Sequence, residues 1–102
     1  MPTREQKFES FKSLHERDEA FVMPNPWDAG TARLLTHFGF EALATTSAGY
    51  AFAVGKRDSF AGLSREELVE NARMIVEATG LPVAADLEDG FGAAPEICAE
   101  TI

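Results

Sequence analysis

Apolar residues recur along the chain with recognisable spacings. Thr3-x-x-Gln6 has the spacing of a capping box, and Phe8, Phe11 and Leu14 behind it share one helical face. This predicts a helix over residues 4–17. Phe21-Val22-Met23 is a short apolar run stopped by Pro24, the pattern of a strand buried on both faces. Asn25-Pro26 places an N-cap residue before a proline at the first helical position, and Asp28 adds negative charge in the first turn. Ala29, Ala32, Leu35 and Phe38 continue a helical stripe until Gly39, a C-terminal stop.

Ala42 to Thr46 forms a second buried-strand pattern that runs straight into Ser47-Ala48-Gly49. After an irregular stretch through Lys56-Arg57-Asp58, Ser64-x-x-Glu67 is another capping box. It opens a helix with Leu68, Ala72, Ile75 and Val76 inward, ending at Gly80. Leu81 to Ala85 is a third strand pattern, with Pro82 tolerable among its first residues. Asp86 through Gly92 reads as a loop, and Pro95 begins a helix that the chain end at Ile102 cuts short.

The predicted order is a helix followed by three strand–loop–helix units. Such alternation implies right-handed crossovers and a parallel sheet, an α/β fold. Three parallel strands cannot close a barrel, and a whole (β/α)8 barrel takes about 250 residues. Two architectures remain: a minimal open α/β sandwich, or the first part of a barrel. The final helix stopping without a cap favours the second.

With 102 residues, 45% hydrophobic and 25% charged, the composition is that of one folded domain rather than a disordered segment. Its net charge of −8 argues against nucleic acid and anionic membrane, both of which reward a basic face. No apolar run approaches the roughly 20 residues a membrane span needs, and no signal-peptide pattern opens the chain. One cysteine, Cys98, and two histidines give neither an internal disulfide nor zinc-ligand spacing. A reduced, cytoplasmic protein is the expectation. Five acids and no lysine or arginine lie in residues 81–102.

In parallel α/β folds the loops after the strands' carboxyl ends form the binding site. Three such loops are predicted: Pro24–Asp28, Thr46–Asp58 and Asp86–Gly92. Asp86 stands at a strand end, and Glu88 points the same way if the extended conformation persists. Two convergent carboxylates suit a hard divalent cation such as Mg2+. The competing reading has Asp86 capping a backbone N–H, with Glu88 and Asp89 in water. Ser47-Ala48-Gly49 offers consecutive N–H groups and a hydroxyl to an anion, or is a plain turn. Gly90-Phe91-Gly92 is half of a dinucleotide fingerprint, with Pro95 where the third glycine belongs. His15 and His37 read as surface or capping residues and Cys98 as a small packing residue. Asp58 is a surface charge unless its loop folds inward.

Three segments together, Phe21-Val22-Met23-Pro24-Asn25-Pro26-Trp27-Asp28-Ala29-Gly30, Thr45-Thr46-Ser47-Ala48-Gly49 and Pro82-Val83-Ala84-Ala85-Asp86-Leu87-Glu88-Asp89-Gly90-Phe91-Gly92, resemble the isocitrate lyase / phosphoenolpyruvate mutase family. The likeness is to its short bacterial members and runs in the same order from the first helix to the last residue. It implies a partial (β/α)8 TIM barrel. Residues 1–102 would be the N-terminal part of one barrel domain, cut after the third βα unit. It implies a homo-oligomer acting on a small 2-oxo or 2-hydroxy acid, cleaving or forming a C–C or P–C bond through an enolate, with Mg2+ or Mn2+ as cofactor. Carried over by position, the resemblance implies Asp86 and Glu88 as metal-site acids. It gives Ser47, Ala48 and Gly49 the substrate carboxylate, and Asp58 the part of a catalytic aspartate near the metal. The family's Lys-Lys-Cys-Gly-His-type loop follows the next strand, so the 102 residues alone are expected to be inactive. Two rival readings are a non-catalytic α/β module acting by self-association or partner binding, and a small phosphate-binding domain using Gly90–Gly92.

Overall fold

Both predicted capping boxes close. Thr3 accepts the Gln6 N–H at 3.1 Å while Gln6 Oε1 accepts the Thr3 N–H at 2.8 Å, and Ser64 and Glu67 reciprocate in the same way. They start α1 (Arg4–Glu16) and α4 (Arg65–Ala78). The other elements are α2 (Ala29–His37), β1 (Leu43–Ala44), α3 (Ser47–Ala53), β2 (Val83–Ala84) and α5 (Pro95–Thr101). The computed structural model describes residues 1–59 and 62–102. It is an α/β arrangement of helices around a small parallel sheet, in which Leu43 pairs with Val83 and Ala44 with Ala84.

The second helix begins later than predicted. Asp28, not Asn25, is its N-cap: Oδ1 accepts the Thr31 N–H at 2.8 Å and the Thr31 hydroxyl returns to the Asp28 N–H. Asn25 is drawn away, its side-chain amide donating to the Ala44 carbonyl at 2.9 Å. The helix stops where predicted, with Gly39 at φ +93.

Phe21–Met23 is not a strand. The segment reaches β1 through the Ala44 N–H, which donates to the Pro24 carbonyl at 3.0 Å. Pro24 and Pro26 both lack an N–H, so a ladder cannot continue through them. Val22, expected to be buried, is 67% exposed. On the other edge of β1, the Leu43 and Thr45 N–H groups donate to Pro82 and Ala84 at 3.0 and 2.9 Å. Successive N–H groups of a strand face opposite edges, so β1 lies between Pro24 and β2.

Ala32, Leu43 and Ile75 are fully buried and join α2, β1 and α4, with Leu35, Ala78, Leu81 and Val83 packed around them. Ala51, Leu63 and Leu68 form a second cluster beneath α3, flanked by Tyr50 and Phe91. The α4 stripe turns slightly from prediction. Val76 faces outward and the buried Asn71 takes an inward position, its amide donating to the Trp27 carbonyl at 3.0 Å.

Helix α1 is fastened from a distance. Lys7 Nζ donates to the carbonyls of Val76 and Thr79 at 3.1 and 2.9 Å. These carbonyls lie at the carboxyl end of α4, whose last turn carries no basic residue of its own. Partial burial holds the Lys7 pKa below the ordinary lysine value. No helix among the described residues is long and apolar enough to cross a membrane.

Candidate functional site

The two strands deliver adjacent polar residues at their carboxyl ends. Thr45, buried, follows β1, and its hydroxyl accepts the Asp86 N–H at 2.8 Å. The Asp86 carboxylate turns back the other way: Oδ2 accepts the Ser47 N–H at 3.2 Å and Oδ1 accepts the Glu88 N–H at 3.1 Å. The Ser47 hydroxyl donates to Asp58 Oδ1 at 3.2 Å. One buried serine thus stands between two carboxylates from different loops. Asp58 is itself exposed but its side chain reaches Ser47, and Asp86 does cap backbone N–H groups.

Burial pushes the Asp86 carboxyl up, but the N–H groups of Glu88 and Ser47 favour its charged form more, and the pKa lies below the ordinary aspartate value. Asp86 is therefore an anion at neutral pH.

Ser47, Ala48 and Gly49 are not in a loop, as the sequence suggested, but form the first turn of α3. Thr46 is the N-cap and accepts the Gly49 N–H at 3.0 Å. The N–H groups of a first helical turn have no partner inside the helix, so this turn presents donors toward the strand ends. The Ser47 and Gly49 N–H groups are taken by Asp86 and Thr46. Position 49 has no room for a side chain: a Cβ there would meet Thr46 Cγ2 at 2.6 Å.

Glu88 does not continue the extended backbone of β2. Its φ is +55, so the expected parallel aim of Asp86 and Glu88 fails, and only the Glu88 N–H reaches Asp86. Gly90 and Phe91 are also left-handed, at φ +88 and +66. For residues other than glycine this conformation costs about 1–2 kcal/mol each. Glu88 and Asp89 line, with Ser59, Leu63 and Phe91, a cleft of about 170 Å³. Among the described residues no group of three or more His, Cys, Asp or Glu side chains is arranged to hold a metal ion.

His15 lies edge-on to Phe11 and Phe21, and its Nδ1 is 2.7 Å from the Phe11 carbonyl, in keeping with its structural reading. Thr45 was not singled out from the sequence. Its signal is a polar β-branched residue at the last position of an apolar strand, where a hydroxyl needs a partner.

A parallel α/β protein with acids and helix-terminal donors gathered at its strand ends is a small-molecule site architecture. The sequence model of phosphoenolpyruvate phosphomutase matches residues 11–102, and the chain belongs to that family. It is similar to 2,3-dimethylmalate lyase of Eubacterium barkeri, 37% identical over 86 residues that cover 84% of this chain and 30% of the lyase. The crystal structure of a candidate lyase/mutase from Burkholderia cenocepacia J2315 superposes with a TM-score of 0.86 at 57% identity, covering 93% of this chain and 33% of that one. Oxaloacetate acetylhydrolase superposes with a TM-score of 0.82 at 31% identity, covering 93% and 34%. The chain spans about a third of the length of these relatives.

Proposed function

We propose that these residues are the N-terminal part of a (β/α)8 barrel enzyme that cleaves or forms a C–C or P–C bond next to a 2-oxo acid, through an enolate. The observation that carries this reading is Ser47 held between Asp58 and Asp86 at the carboxyl ends of adjacent parallel strands. Two of the similar proteins are named for dimethylmalate and oxaloacetate, a 2-hydroxy and a 2-oxo acid.

The donor set fits Mg2+ or Mn2+. Asp86 is ionised, and each of its oxygens accepts one N–H, leaving further lone pairs free. Mg2+ is commonly bound by one or two carboxylates and keeps several waters, so the lack of a three-acid cluster is no obstacle. Asp86 would hold the cation, and Glu88, whose backbone turns out of line with Asp86, would act as the second acid only through the cation's water shell. The bound cation would supply Lewis-acid polarisation of oxo and carboxylate oxygens.

The protein groups divide the remaining work. The first turn of α3 offers the Ala48 N–H and the positive end of the helix to the substrate carboxylate. Gly49 keeps that approach clear of side-chain bulk. Ser47 orients both acids, through its hydroxyl to Asp58 and its backbone N–H to Asp86. Asp58, hydrogen-bonded and near the substrate position, is placed to accept or return a proton.

Titration with Mn2+ by water-proton relaxation tests the reading. Weak binding by the 102-residue chain that Asp86→Ala abolishes is expected, together with undetectable turnover of 2-oxo and 2-hydroxy acids. Binding indifferent to Asp86→Ala removes the proposed site, and vigorous turnover by this chain alone shows the catalytic groups to be misplaced.

A further inference from the structure

The loop that carries Glu88 and Asp89 has an unfavourable backbone. Three of the four residues Glu88–Phe91 have left-handed backbones, two of them not glycine. Within the loop, three short-range bonds act: the Glu88 N–H donates to Asp86 Oδ1 at 3.1 Å, the Gly90 N–H to the Leu87 carbonyl at 3.0 Å, and the Phe91 N–H to Asp89 Oδ1 at 3.1 Å.

Phe91 packs against Ala51, Leu63 and Leu68, and further support comes from α5. The Thr101 hydroxyl lies 2.7 Å from the Gly90 carbonyl and 3.1 Å from that of Ile97 in its own helix, so the shorter contact is the one to the loop. The Cys98 thiol faces the carbonyls of Gly92 and Asp89 at 3.4 and 3.8 Å. Both glycines lie flat on the helix. A Cβ at Gly90 would come within 2.7 Å of Cys98 Sγ, and one at Gly92 within 2.6 Å of Ile97 Cγ2. Thr101 is buried although most of α5 is exposed, which marks its side chain as turned into this contact.

We propose that Thr101 and Cys98 are positioning residues that clamp the Glu88–Gly92 loop and, through the Glu88 N–H, hold the Asp86 carboxylate where it takes a divalent cation. This rests on the metal-site reading above. Neither residue touches the cation; they act through the loop backbone. Asp86 is coupled to the same loop because its Oδ1 accepts the Glu88 N–H. A loosened loop releases that carboxylate.

The test compares the wild-type chain with Thr101→Val, which removes the hydroxyl at nearly constant shape, and Thr101→Ser, which keeps it. Two readouts are taken: hydrogen exchange at the Glu88–Gly92 amides, with α1 and α4 amides as the fold control, and Mn2+ affinity. Thr101→Val is expected to speed exchange in the loop only and to weaken Mn2+ about tenfold, the equivalent of one hydrogen bond. Thr101→Ser is expected to stay within about twofold of wild type. Should Thr101→Val lose protection throughout α1 and α4, Cys98→Ala takes its place with the same expectation for loop exchange and Mn2+. Unchanged loop exchange, or faster exchange with unchanged Mn2+ affinity, overturns the clamp. Failure of the wild-type chain to bind Mn2+ overturns the metal-site reading itself, and the clamp's purpose with it.

Discussion

The backbone N–H of Ser47 donates to Asp86 Oδ2 at 3.2 Å, joining the first turn of α3 to the residue that follows the last strand pattern. The bond ties the start of α3 to the loop that follows β2. It also makes the charge of Asp86 a structural matter, since an ionised carboxylate accepts that N–H better than a protonated one.

Asp86 therefore ties stability to pH. Its folded pKa lies below the ordinary aspartate value of about 3.9. A depressed carboxyl contributes stability that is fully present above the unfolded pKa and is lost as pH falls through the folded one. Asp86→Ala should cost about 1 kcal/mol at pH 7, allowing for solvent screening. The gap in thermal midpoint between wild type and variant should hold from pH 7 to about pH 5 and close below about pH 4. A gap independent of pH down to full protonation would show that the charged form has no special partner.

Lys7→Met should loosen the seating of α1. The carbonyls of Val76 and Thr79 would keep only water as replacement for the ammonium. A loss of about 1 kcal/mol is expected, or about 4–8 °C in thermal midpoint for a domain of this size. Equal midpoints would mean that the contact is replaced by solvent without loss.

Gly49→Ala sets two effects against each other. Alanine in place of glycine inside a helix gains up to about 1 kcal/mol. The new methyl group would overlap Thr46 Cγ2, and such overpacking costs about 1–3 kcal/mol. Net destabilisation is expected in the wild-type chain. Thr46→Ser removes the obstructing methyl and keeps the capping hydroxyl, so Gly49→Ala should become stabilising in that background. Chemical denaturation of the four proteins decides it.

Self-association is the fourth expectation. Phe8, Val22, Phe38 and Phe52 are each more than 60% exposed. Light scattering should report a mass above the 11.1 kDa of one chain, together with binding of an apolar dye. A dye-silent monomer would leave these side chains without the covering partner that the homo-oligomer reading requires.

Local chemistry was the legible part of the fold. The boxes at Thr3 and Ser64, the stop at Gly39 and the start at Pro95 each depend on residues within one turn, and each holds. Asn25 shows where such reading ends. It is as good an N-cap as Asp28 by type, but the Ala44 carbonyl, 19 positions away, claims its side chain. Helix α3 escaped notice because it has only seven residues, with glycine where a capping box would put glutamate. Of the site, Ser47, Asp58 and Asp86 were found by position and are brought together. The turn of the backbone at Glu88 was invisible, since it depends on what α5 places beneath Gly90 and Gly92.

The pairing of β1 with β2 spans two residue pairs, yet it brings together groups 39 positions apart. Closing so large a loop is entropically unfavourable until α2 and α4 have docked and buried Ala32, Leu43 and Ile75. The serine–aspartate arrangement, a non-local contact, is thus expected to form late in folding. On the proposed metal site, stopped-flow refolding should show Mn2+ capture trailing the burial of the apolar core.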